Sequence, residues 1–145
     1  MITSIPKTFW VGQGAFVYRT TDQVFPGATL VPVQMSGATW DTAGFFNIGS
    51  PTKLTVTEAG FYCLSTYVIT AKHVSASTGE TLARIGLNGG ASIAQLSQYI
   101  QSGGQSHYWA LSQVWYANAG DYFEVYVYAA PERKITLCYF YLNQL

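Results

Sequence analysis

The sequence predicts an all-β domain, a sandwich or a barrel, and three observations lead there. Short runs of alternating apolar and polar residues recur along the chain, bounded by turns containing Gly or Pro. No segment carries a convincing helical period. The 145 residues suit one domain with a sizeable core, without an internal repeat or a long linker.

The elements follow in order. Residues 1–14, "MITSIPKTFWVGQG", are interrupted by Pro6, Gly12 and Gly14, yet Ile2, Ile5, Phe9, Trp10 and Val11 are too apolar for a solvated tail. Two readings stay open: an edge strand packed on its own domain, or an arm reaching a neighbouring protein. The main domain then runs over 15–145. "AFVYRT" alternates as a short strand. "ATLVPVQM" contains Pro32, which suits an edge strand or a bulge. "TKLTVTEAGFYCLSTYVITA" reads as two strands broken at Glu58-Ala59-Gly60, the second with Phe61, Cys63, Ser65, Tyr67 and Ile69 on one face. "TLARIGLNGGASIAQLSQYI" is a hairpin about Asn88-Gly89, since a type I′ turn needs positive φ at both central residues. "HYWALSQVWYAN", "DYFEVYVYA" and "ITLCYFYLN" complete the set, with turns at Ala119-Gly120-Asp121 and near Pro131-Glu132.

Charge and aromaticity are both unusual. Charged residues make up 10% of the chain, against about 25% in ordinary soluble domains. Aromatics make up 16%, with 11 Tyr, 8 Phe and 4 Trp, and a monomer of this size has trouble hiding them all. The strand after Gly120 poses the problem sharply. Phe123, Val125 and Val127 point one way, while Tyr122, Glu124, Tyr126 and Tyr128 point the other. With no helix to cover that second face, another copy of the chain or a partner is the expected cover. Zero net charge gives no electrostatic footprint for nucleic acid or an anionic membrane. No run approaches 18 apolar residues, and the start lacks the basic and apolar segments of a signal peptide. Synthesis and folding without secretion is therefore the expectation.

Catalytic chemistry is not predicted. His73 and His107 lack metal-ligand spacing, there is no H-E-x-x-H and no G-x-S-x-G, and the seven carboxylates are scattered. No catalytic residue, cofactor or metal site is assigned, and the chain is not expected to be an enzyme. Cys63 and Cys138 lie in alternating runs and read as buried free thiols, with a disulfide between neighbouring strands left open. The loop "YIQSGGQSHYW" mixes amide, hydroxyl, Gly and aromatic residues. It reads either as a plain surface loop or as an adaptable recognition loop, with Gln101, Gln105, His107 and Tyr108 as its candidate contacts.

From Ala15 onward the chain resembles the jelly-roll heads shared by complement-type globular domains and tumour-necrosis-factor ligands. The resemblance rests on "AFVYRT", "WDTAGFFN", "KLTVTEAGFYCLSTYVI" with Gly60, Phe61 and Tyr62, "LARIGLNG", "SQVWYANAGDYFEVYVY" with Gly120 and Asp121, and "CYFYLNQL". Tyr139 departs from the family's small residue in the last segment. The resemblance implies a jelly-roll β-sandwich of about ten antiparallel strands, assembling as a homotrimer with a non-enzymatic binding or assembly role. On that basis Tyr122, Tyr126, Tyr128, Tyr139 and Tyr141 are the expected trimer interface.

The family's collagen-like stalk is missing from the sequence. The expectation is therefore a bacteriophage virion protein, made in the host cytoplasm and placed on the capsid exterior. Its function would be to decorate and cement the lattice at three-fold positions. Its partners would be itself and the major capsid protein, with Ile5, Phe9, Trp10 and Val11 as the capsid-binding arm and neither nucleic acid nor membrane as a partner. The alternative is a fibre or tip trimer that binds a receptor or glycan.

Overall fold

Alternation at period two builds the molecule. The computed structural model describes residues 12–73, 78–101 and 104–145, which form eleven strands and no helix. The strands are β1 (Gly14–Arg19), β2 (Gln23–Phe25), β3 (Val31–Pro32), β4 (Gly37–Asp41), β5 (Leu54–Thr55), β6 (Gly60–Lys72), β7 (Gly79–Leu87), β8 (Ala91–Ile100), β9 (His107–Ala117), β10 (Tyr122–Ala129) and β11 (Arg133–Gln144). The proposed arm residues Ile5, Phe9, Trp10 and Val11 lie outside the described residues.

Two antiparallel sheets result. The larger runs β4-β1-β11-β6-β9, with β2 also on β11; the smaller runs β3-β10-β7-β8, with β5 also on β10. This is the jelly-roll sandwich expected from the sequence. Between the sheets, Val17 on β1, Leu64 and Val68 on β6, and Phe140 and Leu142 on β11 meet Ile85 on β7 and Phe123, Val125 and Val127 on β10, all essentially without solvent contact. Pro32 sits on short β3, paired with Tyr126 at the edge of the smaller sheet, where its missing N–H costs no ladder bond.

β11 organises the larger sheet. It pairs with β1 on one side from Gly14↔Asn143 to Arg19↔Cys138 and with β6 on the other from Arg133↔Lys72 to Gln144↔Tyr62. The chain's first described residues and its last therefore lie together, with the Gln144 amide donating to the Gln13 carbonyl at 2.7 Å. The loop between β8 and β9 lies at the opposite end, because His107 pairs with Thr70 next to Arg133.

The turns hold the termini end. Asn88 (φ 52°) and Gly89 (φ 78°) adopt the left-handed pair that the Asn-Gly signal predicted. Asp121 ties that hairpin to the next turn: its Oδ1 accepts from Asn88 Nδ2 at 2.9 Å and its Oδ2 from the Asn118 amide at 2.8 Å. Asn88 Oδ1 in turn accepts from the Tyr122 amide at 2.9 Å. The Asn88 side chain and the Asn118 amide hold the Asp121 carboxyl below its ordinary pKa.

The second face of β10 is covered differently from the expectation. Glu124 is 4% exposed and Tyr126 is 8% exposed within a single chain. Glu124 lies opposite Gly86, and a Cβ at Gly86 would sit 2.8 Å from the Tyr126 ring, so the missing side chain is the space the ring fills. The Arg84 guanidinium lies 5.0 Å from the ring centroid. Glu124 accepts from the Tyr126 hydroxyl and, at 2.6 Å, from Thr52 Oγ1. The chain itself thus covers much of a face that the sequence assigned to a neighbour.

Cys63 and Cys138 are free. Cys138 is buried in the core, where desolvation raises its thiol pKa to about 12. Cys63 is half-buried and on the other face of the larger sheet, so only one thiol matches the expected burial.

Two outcomes are expected. Gly86→Val should lower stability by about 1–3 kcal/mol in denaturant titration, since it overpacks the Tyr126 ring. Gly90→Val, where no neighbour lies within 4 Å of a Cβ, should cost less. Asp121→Ala should lower the melting temperature at neutral pH. A carboxyl with a depressed folded pKa stabilises above its unfolded value of about 4 and loses that contribution as pH falls through the lower folded value. The melting-temperature gap between wild type and Asp121→Ala should therefore close across that acid window, and a pH-independent gap would exclude this role for the carboxylate.

Candidate assembly face and distal cleft

The outer face of the larger sheet is made of side chains that alternation turns away from the core. On β1 and β11, Phe16 lies opposite Tyr141 and Tyr18 opposite Tyr139. Phe16 stacks on Tyr141 with centroids 4.1 Å apart and planes 6° apart, and Trp40 meets Tyr141 edge-on at 6.4 Å. On β6 and β9, Tyr67 lies opposite Ala110, Cys63 opposite Val114, and Phe61 opposite Tyr116. The last pair is T-shaped at 5.3 Å. From Phe61 to Ile69 along β6, and at the positions facing it on β9 and β11, there is no Asp, Glu, Lys or Arg; on β1 the one charged residue, Arg19, is in register with buried Cys138 and shares the inward parity of Val17. The Lys134–Asp22 ion pair, 2.7 Å long, stands at one end of this field.

Solvent contact there is large. Phe61 is 58% exposed, Tyr116 50%, Val114 49% and Tyr67 37%. More than half of the large hydrophobic side chains left exposed by the described residues lie on this one face. Such a concentration marks an interaction surface. A second neutral surface lies beside it. Edge strands β8 and β9 contain no Asp, Glu, Lys or Arg, although edges are normally protected by charge.

The five tyrosines expected to form one interface are divided. Tyr139 and Tyr141 lie on this outer face of the larger sheet. Tyr122, Tyr126 and Tyr128 lie on the outer face of the smaller sheet, on the far side of the sandwich. Phe16, Phe61 and Tyr67 belong with Tyr139 and Tyr141. The sequence signal for them was the shared face of 61–69 and the alternating "AFVYRT", which was not connected to β11 until the pairing was known.

The recognition-loop residues come together at the end of the molecule away from the termini. A cleft of about 630 Å³ there is lined by Gln98, Tyr99, Gln101, Gln105, Ser106, His107 and Tyr108. It therefore holds all four candidates, Gln101, Gln105, His107 and Tyr108. Gln98 was missed because it belongs to strand β8 rather than to the loop. Residues 102–103 lie outside the described residues. His107 is 7% exposed, and its Nδ1 has no hydrogen-bond partner among the described residues. Burial and the neighbouring Arg133 guanidinium hold the imidazole below its ordinary pKa, so it is neutral at pH 7. Arg133, 1% exposed, reaches from β11 to donate to the Gln105 carbonyl and, at 3.4 Å, to the Thr70 carbonyl. His73 Nε2 and Glu132 Oε1 lie 3.7 Å apart at the same end. Among the described residues, no group of three His, Cys, Asp or Glu side chains comes together as a metal site would need.

No family model and no curated protein sequence matches the chain. Solved structures do. The globular domain of zebrafish complement 1qA superposes with a TM-score of 0.70 at 16% identity, covering 92% of this chain and 97% of that one. Eiger TNF from S. frugiperda superposes with a TM-score of 0.71 at 14% identity, covering 92% of each. At these identities the likeness is one of fold: the chain has the jelly-roll architecture of complement-type and tumour-necrosis-factor-type domains.

Proposed function

We propose that the protein is a non-enzymatic module that works as a homotrimer, and that the outer face of the larger sheet is where its copies meet. The uncharged aromatic field on β1, β6, β9 and β11 is the observation that carries this reading. A closed ring of three needs two different complementary patches on each copy. The aromatic face supplies one and the neutral β8–β9 edge supplies the other. The number three comes from the family resemblance.

The finer proposal is a virion decoration protein that clamps capsid subunits at three-fold positions. The low charge and the apolar segment before Gly12 support it. So does the place of Gln13, which is held by Gln144 at one end of the sandwich. Three modest contacts tied together gain through effective concentration. A receptor- or glycan-binding tip is the second reading, and the cleft at the opposite end favours it.

Light scattering should give three times the 15.9 kDa chain mass. Tyr67→Asp should give a folded monomer, because it would bury an unpaired charge. Tyr128→Asp, on the other sheet, should leave the mass unchanged. A trimer that survives Tyr67→Asp would move the interface elsewhere. For the finer proposal, the copy number is measured in purified virions by mass spectrometry against the major capsid protein. Hundreds of copies, lost when residues 1–11 are deleted, are expected; a few tens or fewer would replace decoration by the tip reading.

A further inference from the structure

We infer that the cleft between the end of β8 and the start of β9 binds a neutral saccharide. Its lining carries no formal charge: three glutamine amides, one serine hydroxyl, two tyrosines and a neutral histidine. A charged ligand would find no counter-charge on these side chains. A polyhydroxyl ligand would find donors and acceptors side by side, since each amide offers both.

The aromatic side chains add the apolar half of such a site. Tyr99 is 65% exposed and Tyr108 is 59% exposed, and they flank the cleft from β8 and β9. Ring faces left open to water beside amides suit the alternating C–H and O–H surfaces of a pyranose. The size also fits, since ligand pockets run from roughly 300 to 1,000 Å³.

His107 forms the buried part of the lining. It is more than nine-tenths buried, it lines the cleft, and its Nδ1 has no hydrogen-bond partner among the described residues. Arg133 holds the Gln105 carbonyl, which fixes the strand entry that carries Gln105, Ser106 and His107. All of the named lining residues come from one chain, and the site lies at the end of the sandwich away from Gln13 and Gln144.

The test uses the full chain with maltotriose, chitotriose, mannotriose and lactose at millimolar concentration, and sialyllactose as the charged comparison. Saturation-transfer NMR and backbone amide shifts report binding, while light scattering on the same samples reports assembly separately. At least one neutral sugar is expected to move the amides of Gln98, Gln105 and His107. Tyr108→Ala should weaken that binding roughly tenfold, the equivalent of one aromatic contact, while Tyr108→Phe retains it. Gln101→Ala combined with Gln105→Ala should abolish it. If Tyr108→Ala does not fold, Tyr99→Ala gives the same readout from a more exposed side chain. The inference is overturned if no neutral sugar shifts these amides, if only sialyllactose does, or if binding survives the variants.

Discussion

The last strand of the sequence is the constraint on which the rest of the structure depends. β11 enters the middle of the larger sheet and is paired along both sides, by β1 and β2 on one and by β6 on the other. Its inward residues Cys138, Phe140 and Leu142 are core. Its outward residues Tyr139 and Tyr141 anchor the aromatic face through Phe16 and Trp40. Its first residue, Arg133, is buried beneath the distal loop and holds the Gln105 carbonyl. Core, assembly face and cleft are thus three uses of one strand.

The two outer faces of the sandwich solve the aromatic excess in different ways. The smaller sheet covers its own: Tyr126 lies in the space left by Gly86, and the Glu124 carboxylate is satisfied by two hydroxyls. A buried carboxylate without such donors would be expensive. The larger sheet uses a glycine in this way only locally, where Tyr18 of β1 lies over Gly37 of β4. Its tyrosines and phenylalanines stack on each other but keep much of their area in water.

Much of the architecture was legible in the sequence, because period-two alternation and turn chemistry are local signals. The Asn88-Gly89 turn, the edge position of Pro32 and the break before Gly60 all read correctly. Sheet membership was not legible. β10 and β11 are consecutive, both alternate and both carry tyrosines, yet they belong to opposite sheets. Alternation shows that a face exists, and only long-range pairing shows where it points. That is why Tyr122, Tyr126 and Tyr128 were grouped with Tyr139 and Tyr141. The cover over Tyr126 was hidden for a similar reason, since it is a glycine's missing side chain on a neighbouring strand. The burial of Arg133 could not be read from a turn-flanking position. The cleft residues were more accessible to sequence reading because most of them are contiguous.

A central strand also decides whether the larger sheet closes at all. Without β11, β1 has only short β4 beside it and β6 has only β9. The larger sheet then falls into unconnected pieces, and its outer aromatic face is no longer continuous. One strand therefore sets both the closure of the sandwich and the presence of the surface through which copies could meet.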